Sequence, residues 1–241
     1  MSDVSVDVDD LRTADGHDYF LVRPYMRPTG PAVMFLHWFD EAPNANRSQF
    51  LDEAKLLAEK GVVSVLPQLT FPWFGPPTDY DNDFGRIVSE VSWLQTVHST
   101  LLDVDGVDAS QIAVVGHDFG AMYGMLLLKE IEARCAVLIA PTPRWADWFL
   151  RFWRISSDRF DYMRTLDQVD PVRAISSADC PVLFQFGQRD FYIATMSALE
   201  LFQAAREPKR MLNYESGHEM DLEEIRNDRS GYIFNVLNLN S

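Results

Sequence analysis

Three residues have types and sequence contexts that together could perform nucleophilic catalysis: Asp118, Asp190 and His218. Asp118 is the centre of a Gly-His-Asp-Phe-Gly segment that follows an apolar run and precedes a helical pattern. This is the G-x-S-x-G strand-to-helix elbow with Asp at the nucleophile position. Gly116 and Gly120 suit such a turn, because side chains there would clash with neighbouring backbone while the central side chain stands clear of the sheet. The segment predicts Asp118 as a nucleophile; the alternative is a helix N-cap.

Asp190 and His218 follow Asp118 in the order nucleophile, acid, histidine, which is one of the chain orders in which such triads occur. Asp190 ends a Gly-x-x-Asp segment directly after the apolar run Val182–Phe186. His218 follows the run Met211–Tyr214 in a Ser-Gly-His segment. Taken alone, Asp190 would be interpreted as a turn residue and His218 as a surface histidine. Because both follow the Asp118 elbow in the sequence, together they predict a catalytic triad.

An aspartate nucleophile selects a different reaction from a serine. A carboxylate is already ionised and needs no base to attack. Attack on an ester carbonyl would give an anhydride, whereas attack on a saturated carbon with a leaving group, or on an epoxide, gives an ordinary ester. Water would then cleave that ester, with His218 as the base and Asp190 orienting it. The backbone N–H groups of Trp38 and Phe119 are the predicted oxyanion hole.

Strands and helices that position these residues alternate along the chain. Near-continuous apolar runs indicate strands buried on both faces of a parallel sheet, and two short N-terminal runs indicate antiparallel edge strands. The predicted strands are 4–8, 19–22, 32–36, 62–66, 112–115, 136–139, 182–186 and 211–214. The predicted helices are 48–60, 84–102, 121–133, 192–205 and one within 219–237. We expect one α/β domain over residues 1–241, with a mostly parallel sheet and helices on both faces.

The insert at about 142–178 is longer than a normal crossover and rich in aromatic residues. It is either a helical segment packed on the domain surface or a small lid, and the lid is favoured because the insert follows the carboxyl end of a strand. With residues 71–74, its aromatics are expected to line a mostly apolar pocket above the elbow. The predicted substrate-binding residues are His37, Trp73, Trp145, Trp148 and Tyr162. For His37, the main expected role is to shape its loop.

The order and spacing of these segments resemble the α/β-hydrolase superfamily over nearly the whole chain. The elbow, the acid segment, the histidine segment and the oxyanion loop at 35–39 all match. In size and compact insert the chain is similar to dienelactone-hydrolase-like esterases, which use Cys or Ser. Its Asp elbow instead resembles those of haloalkane dehalogenases and epoxide hydrolases. The resemblance implies the α/β-hydrolase fold and the Asp118–His218–Asp190 triad.

Three positions depart from the Asp-elbow families. Phe119 stands where dehalogenases have a halide-binding Trp, and His37-Trp38 replaces the usual His-Gly. The insert contains one tyrosine, Tyr162, where epoxide hydrolases use two.

Composition excludes several other classes of protein. The 241 residues carry a formal net charge of −15, which disfavours nucleic acid and anionic membrane surfaces as partners. Cys135 and Cys180 lack metal-site spacing and indicate free thiols in a reducing cytoplasm. The acidic N-terminus lacks the apolar segment of a signal peptide. An acidic trio, Asp79, Asp81 and Asp83, lacks the pattern of a calcium loop and is expected to cap a helix on a solvated face.

We therefore expect a cytoplasmic hydrolase with a small, largely apolar substrate, no metal and no cofactor, either monomeric or homo-oligomeric. Two alternatives remain open. The chain is a ligand-binding protein on an esterase scaffold in which Asp replaced Ser and turnover was lost, or a partner-binding module that uses its aromatic insert.

Overall fold

The sheet forms where the apolar runs predict it. The structure is a computed structural model that describes residues 6–13, 16–25, 30–39, 46–71, 80–153 and 158–239, apart from the side chain of Trp153. Within these ranges eight strands form one sheet. The strands are β1 Val6–Arg12, β2 Asp18–Pro24, β3 Ala32–Leu36, β4 Val63–Pro67, β5 Ile112–His117, β6 Cys135–Ile139, β7 Val182–Gly187 and β8 Lys209–Tyr214.

Strand order in the sheet is β1-β2-β4-β3-β5-β6-β7-β8. β1 pairs antiparallel with β2, and β2 antiparallel with β4. The other pairs are parallel. β3, β4, β5 and β6 are buried at every position, as their continuous apolar sequences require. The α/β fold predicted from the sequence is confirmed.

Eight α-helices connect or follow these strands in the described ranges. They are α1 Leu51–Ala58, α2 Tyr80–Leu102, α3 Phe119–Leu127, α4 Trp145–Trp148, α5 Arg159–Leu166, α6 Pro171–Ile175, α7 Thr195–Ala204 and α8 Glu223–Val236. The insert contains α4, a π-helical turn at Phe149–Trp153, α5 and α6. α2 packs on α3 and α5, and α3 packs on α6.

The direction of the crossovers creates a crevice at the centre of the sheet. The connection through α1 runs from β3 to β4, towards β1, whereas the connection through α3 runs from β5 to β6, towards β8. Because parallel crossovers are right-handed, α1 and α3 cover opposite faces. The carboxyl ends of β3 and β5 therefore flank a topological switch point, which is where open α/β sheets bind ligands. Residues 37–39 and Asp118 follow these two ends directly.

The acidic trio does not form the solvated face expected from the sequence. Asp81 is exposed, but Asp83 is fully buried in α2 and accepts a hydrogen bond of 2.5 Å from the Tyr162 hydroxyl of α5. Asp79 lies outside the described residues. Asp83 therefore holds the insert against α2, because a buried carboxylate needs a donor.

Candidate active site

The elbow at Asp118 has the strained geometry that its sequence predicts. Asp118 lies between β5 and α3 with φ 54° and ψ −119°, and its side chain makes no capping hydrogen bond to α3. A Cβ on Gly116 would lie 2.6 Å from the Ala121 Cα, and one on Gly120 only 2.2 Å from the Leu36 carbonyl oxygen. Side chains at both positions are therefore excluded, and the N-cap alternative for Asp118 is not supported.

The carboxylate of Asp118 is buried, and its two oxygens face different groups. The residue is 2% exposed. The Phe39 N–H donates to Oδ2 at 3.3 Å, while Oδ1 faces the His218 imidazole. Burial raises the pKa of Asp118, whereas His218 and the backbone N–H groups of Phe39 and Phe119 act in the opposite direction.

The N–H group from the β3 loop that reaches Asp118 belongs to Phe39, not to Trp38 as the sequence analysis expected. The Trp38 N–H instead donates to Oε1 of Gln49 at 2.8 Å. Gln49 lies in the turn before α1. Because it binds the Trp38 N–H, the N–H group of the next residue, Phe39, is the one that faces Asp118. The Phe119 N–H lowers the pKa of Asp118, and its role in an oxyanion hole stays a prediction.

Asp190 and His218 are in contact. Nδ1 of His218 lies 2.8 Å from Oδ2 of Asp190. Oδ1 of Asp190 accepts the backbone N–H groups of Tyr192 at 2.8 Å and Ile193 at 3.0 Å, which orient the carboxylate towards the imidazole. Burial lowers the pKa of His218, but the negative charge of Asp118 and the hydrogen-bonded carboxylate of Asp190 outweigh burial and raise it to about 10.

The loops that carry Asp190 and His218 are joined through their backbones. The Arg189 N–H donates to the Ser216 carbonyl at 3.0 Å, and a Cβ on Gly187 would lie 2.5 Å from that same oxygen. Only glycine at the end of β7 lets the two loops approach so closely. The close packing explains why the segment of Asp190 begins with glycine.

The other nitrogen of His218 faces Asp118 without a hydrogen bond. His218 Nε2 and Asp118 Oδ1 lie 3.5 Å apart, and both are buried atoms without a hydrogen-bond partner in the described part of the chain. Buried polar atoms are normally paired, so two unsatisfied atoms that face one another need an explanation, and a catalytic role is one.

His37 is a structural residue rather than a substrate contact. It is 1% exposed, with Nδ1 2.6 Å from the Trp38 carbonyl oxygen. Its Nε2 accepts the Leu69 N–H at 2.8 Å. Burial lowers its pKa to about 4, so the ring is neutral and joins the loop after β3 to the segment after β4.

A buried chain of hydrogen bonds through Gln49 and His117 was missed in the sequence. Gln49 Nε2 lies 2.6 Å from Nδ1 of His117, whose Nε2 lies 2.8 Å from the His218 carbonyl oxygen. Burial keeps the pKa of His117 well below its usual value, so the ring donates from Nε2 and accepts at Nδ1. With the bond from Gln49 to Trp38, this chain connects the loop after β3, the elbow and the His218 loop. Only the position of His117 in the elbow could have signalled it.

The predicted substrate-binding aromatics fall into different environments. The Trp148 ring lies 5.1 Å from the Phe119 ring and 6.0 Å from the His218 ring, beside the candidate triad. Trp145 is fully buried, 4.9 Å from the Tyr123 ring, and donates from Nε1 to the Val169 carbonyl.

Tyr162 and Trp73 are the other two aromatic residues that were predicted to bind substrate. The Tyr162 hydroxyl is engaged with Asp83, so Tyr162 supports the insert rather than reaching the elbow. Trp73 lies outside the described residues, and the apolar pocket expected over Asp118 stays a prediction.

Among the described residues, no group of His, Cys, Asp or Glu side chains could hold a metal ion. In the same ranges, none of the helices combines the length and the apolar character that crossing a bilayer needs.

The sequence model of the alpha/beta hydrolase family matches residues 33–226. This chain belongs to the alpha/beta hydrolase family. It is a hydrolase by that membership, and the match covers β3 through the first part of α8, with Asp118, Asp190 and His218 inside it. A comparison with curated proteins finds no match.

Solved structures with the same fold are similar to this hydrolase over almost its whole length. An acetyl xylan esterase from Paenibacillus sp. R4 has a TM-score of 0.69 and 16% identity, covering 95% of this chain and 88% of that one. A protein from Klebsiella pneumoniae described as a dienelactone hydrolase has a TM-score of 0.67 and 17% identity, with 98% of each chain covered. An alpha/beta hydrolase from Penicillium sp. sh18 has a TM-score of 0.61 and 16% identity, covering 98% and 100%. At these identities the likeness concerns the fold alone.

Proposed function

We propose that this hydrolase attacks a saturated carbon of a small, largely apolar substrate with the carboxylate of Asp118 and forms an alkyl ester on the protein. His218 and Asp190 complete the triad. The observation that carries the proposal is the division of the Asp118 oxygens, with Oδ2 on the Phe39 N–H and Oδ1 facing His218. An ester at Oδ1 leaves Oδ2 as the carbonyl oxygen, already in contact with the donors that an oxyanion needs.

Both steps balance with the groups present. Oδ1 bonds to the substrate carbon as the leaving group departs or the epoxide ring opens. His218 first releases its own proton, to the alkoxide of an opened epoxide or to solvent, and then takes a proton from water, whose oxygen attacks Cγ of Asp118. Negative charge passes to Oδ2, held by the N–H groups of Phe39 and Phe119. Collapse of this intermediate restores the carboxylate with one water oxygen and releases an alcohol that contains Oδ1.

An acyl substrate fits the site less well. Attack of Asp118 on an ester carbonyl would give an anhydride, and the Phe39 N–H already binds Oδ2 of Asp118. A substrate carbonyl oxygen would have to displace that contact. The name of one structural neighbour, the acetyl xylan esterase, therefore makes ester cleavage a control reaction rather than the proposed one.

The protonation state of His218 favours epoxides among the candidate substrates. With its pKa raised to about 10, His218 rests as an imidazolium between two carboxylates. When Asp118 becomes an ester it loses its charge, the pKa of His218 falls, and a proton becomes available to the alkoxide of an opened epoxide. A departing halide needs no proton, and Phe119 offers it no side-chain N–H.

The decisive experiment is a single turnover in oxygen-18 water with protein in excess over styrene oxide, 2-chloropropionate or, as the control, 4-nitrophenyl acetate. We expect label in the tryptic peptide 87–129, which contains Asp118. His218→Ala should form the ester and fail to hydrolyse it, so the intact protein gains the mass of the alkyl fragment. His98→Ala, a substitution on α2 distant from the triad, is the matched control and should accumulate no adduct.

Turnover with neither label in that peptide nor adduct in His218→Ala would remove Asp118 as a covalent nucleophile. Binding of these compounds without turnover would favour the ligand-binding alternative.

A further inference from the structure

A cavity of about 440 Å³ borders the candidate active site. Trp148 and Tyr192 line it, and their rings are stacked 5.3 Å apart. Both rings also contact the imidazole of His218, at 6.0 Å for Trp148 and 5.1 Å for Tyr192. The cavity and the triad therefore share two aromatic walls.

The walls of this cavity suit an apolar body of moderate size. Phe152 lies 5.1 Å from the Trp148 ring and 5.8 Å from the Tyr192 ring, which extends the aromatic surface outward. Leu150 and Met163 also line the cavity. Its volume falls in the range of small-molecule sites, about 300–1,000 Å³.

Two arginines without a carboxylate partner also line the cavity. Neither Arg151 nor Arg159 has an acidic side chain within ion-pair distance in the described ranges. The Arg151 guanidinium stacks at the rim, 4.9 Å from the Phe152 ring centroid and 6.0 Å from that of Phe191. A guanidinium stacked on an aromatic face keeps its N–H groups in plane for a carboxylate.

One acidic residue, Asp147, also lines the cavity, but it has a cation beside it. Asp147 lies 3.9 Å from Arg144, which also binds Glu200. The charged side chains that line the cavity among the described residues are Arg151, Arg159 and Asp147, so its lining carries one net positive charge, on a chain whose net charge is −15. The lining of the cavity is therefore positively charged, although the protein as a whole is strongly negative.

We propose that this cavity binds the carboxylate of a small organic anion through Arg151 and Arg159, with its apolar body packed on Trp148, Phe152 and Tyr192. The anion is the tail of the substrate that Asp118 attacks, and this second statement rests on the proposed function. Carboxylate-bearing epoxides and haloalkanoates are the substrate class that follows.

The test compares two ligands that differ in charge and that the protein cannot hydrolyse, 3-phenylpropionate and 3-phenylpropan-1-ol, by isothermal titration calorimetry. We expect the carboxylate to bind about tenfold more tightly, as one charge-assisted contact allows. Arg151→Gln and Arg159→Gln should each lose about three- to tenfold of carboxylate affinity and leave alcohol binding unchanged. Arg164→Gln is the matched control, because Arg164 lies on α5 like Arg159 but pairs with Asp161. Phe152→Ala should weaken both ligands.

Equal affinity for acid and alcohol, no saturable binding of either, or carboxylate affinity unchanged in both arginine variants would overturn the proposal. The oxygen-18 experiment is independent of this result. Charge-selective binding without oxygen-18 at Asp118 would overturn the proposed function and leave the anion site in place.

Discussion

At the scale of single residues, His218 is defined by the two carboxylates on either side of it. Oδ2 of Asp190 lies 2.8 Å from Nδ1 of His218, and Oδ1 of Asp118 lies 3.5 Å from Nε2. The raised pKa of His218 therefore depends partly on a residue that changes charge during the proposed reaction.

Replacing Asp118 with Asn tests this dependence without changing side-chain size. We expect the pKa of His218, about 10 in the unmodified protein, to fall by more than about one unit, because one of the two neighbouring charges is lost. Titration of the imidazole by NMR measures it. His37 serves as the internal control, since burial is the main cause that lowers its pKa to about 4 and Asp118→Asn should not move it. An unchanged His218 titration would contradict the coupling.

The same shift predicts a pH-dependent contribution to stability. Because the folded-state pKa of His218 lies above the unfolded value of about 6.5, its stabilising effect is complete below about pH 6.5 and is lost as pH rises through about 10. Urea unfolding of the protein and of His218→Gln should therefore differ most near pH 6, and the difference should shrink towards pH 10. A difference that grows with pH would contradict the assignment.

At the scale of elements, the site depends on how closely the elbow approaches the loop after β3. We expect Gly120→Ala to destabilise the protein by more than about 2 kcal/mol, because its Cβ would lie 2.2 Å from the Leu36 carbonyl oxygen. Gly231→Ala in α8 is the matched control. A Cβ there meets nothing within 4 Å, and alanine should stabilise the helix by about 0.5–1 kcal/mol. Urea denaturation measures both, and equal effects would refute the steric argument.

The arrangement of these elements also depends on Gln49, because its side-chain amide hydrogen-bonds to both Trp38 and His117. Gln49→Leu leaves both groups without a partner, so we expect a loss of about 1–3 kcal/mol in stability. A fall in kcat with little change in KM would show that the His218 loop has also lost its position. Gln95→Leu, on the exposed face of α2, is the control and should change neither. A purely structural role for Gln49 would lower stability while kcat stayed constant.

These elements also show which features of the site can be predicted from the sequence alone. The elbow was predictable because a local steric rule requires its glycines, and the acid and histidine because each follows an apolar run in a short segment that contains glycine. The sequence did not predict that Phe39, rather than Trp38, donates its N–H group to Asp118. Gln49, a side chain from another part of the chain, binds the Trp38 N–H and so sets which residue of the loop faces Asp118. The partnership of Tyr162 with Asp83, 79 residues apart, likewise depends on tertiary packing.

At the scale of the whole molecule, Arg229 joins the C-terminal helix to the N-terminal half. It is 3% exposed, binds Glu53 of α1 through Nε at 2.9 Å, and also contacts Gln185 of β7. We expect Arg229→Ala to cost about 3–5 kcal/mol, because Glu53 would keep a charge in the protein interior without its partner. Arg226→Ala, on the exposed side of α8, should cost less than about 0.5 kcal/mol by thermal or urea unfolding. Similar costs for the two would show that the Glu53 pair contributes little.

The residue at the centre of the elbow also decides which chemical reagents can detect this hydrolase. Fluorophosphonates and sulfonyl fluorides form stable adducts with an activated hydroxyl, but Asp118 has none, and a mixed anhydride on its carboxylate would be lost to water. Proteome surveys that enrich hydrolases with such warheads would pass over this chain. Under the proposed mechanism, an alkylating warhead, such as an epoxide with a carboxylate tail, is the kind of probe that would retain it, most durably in a His218 variant.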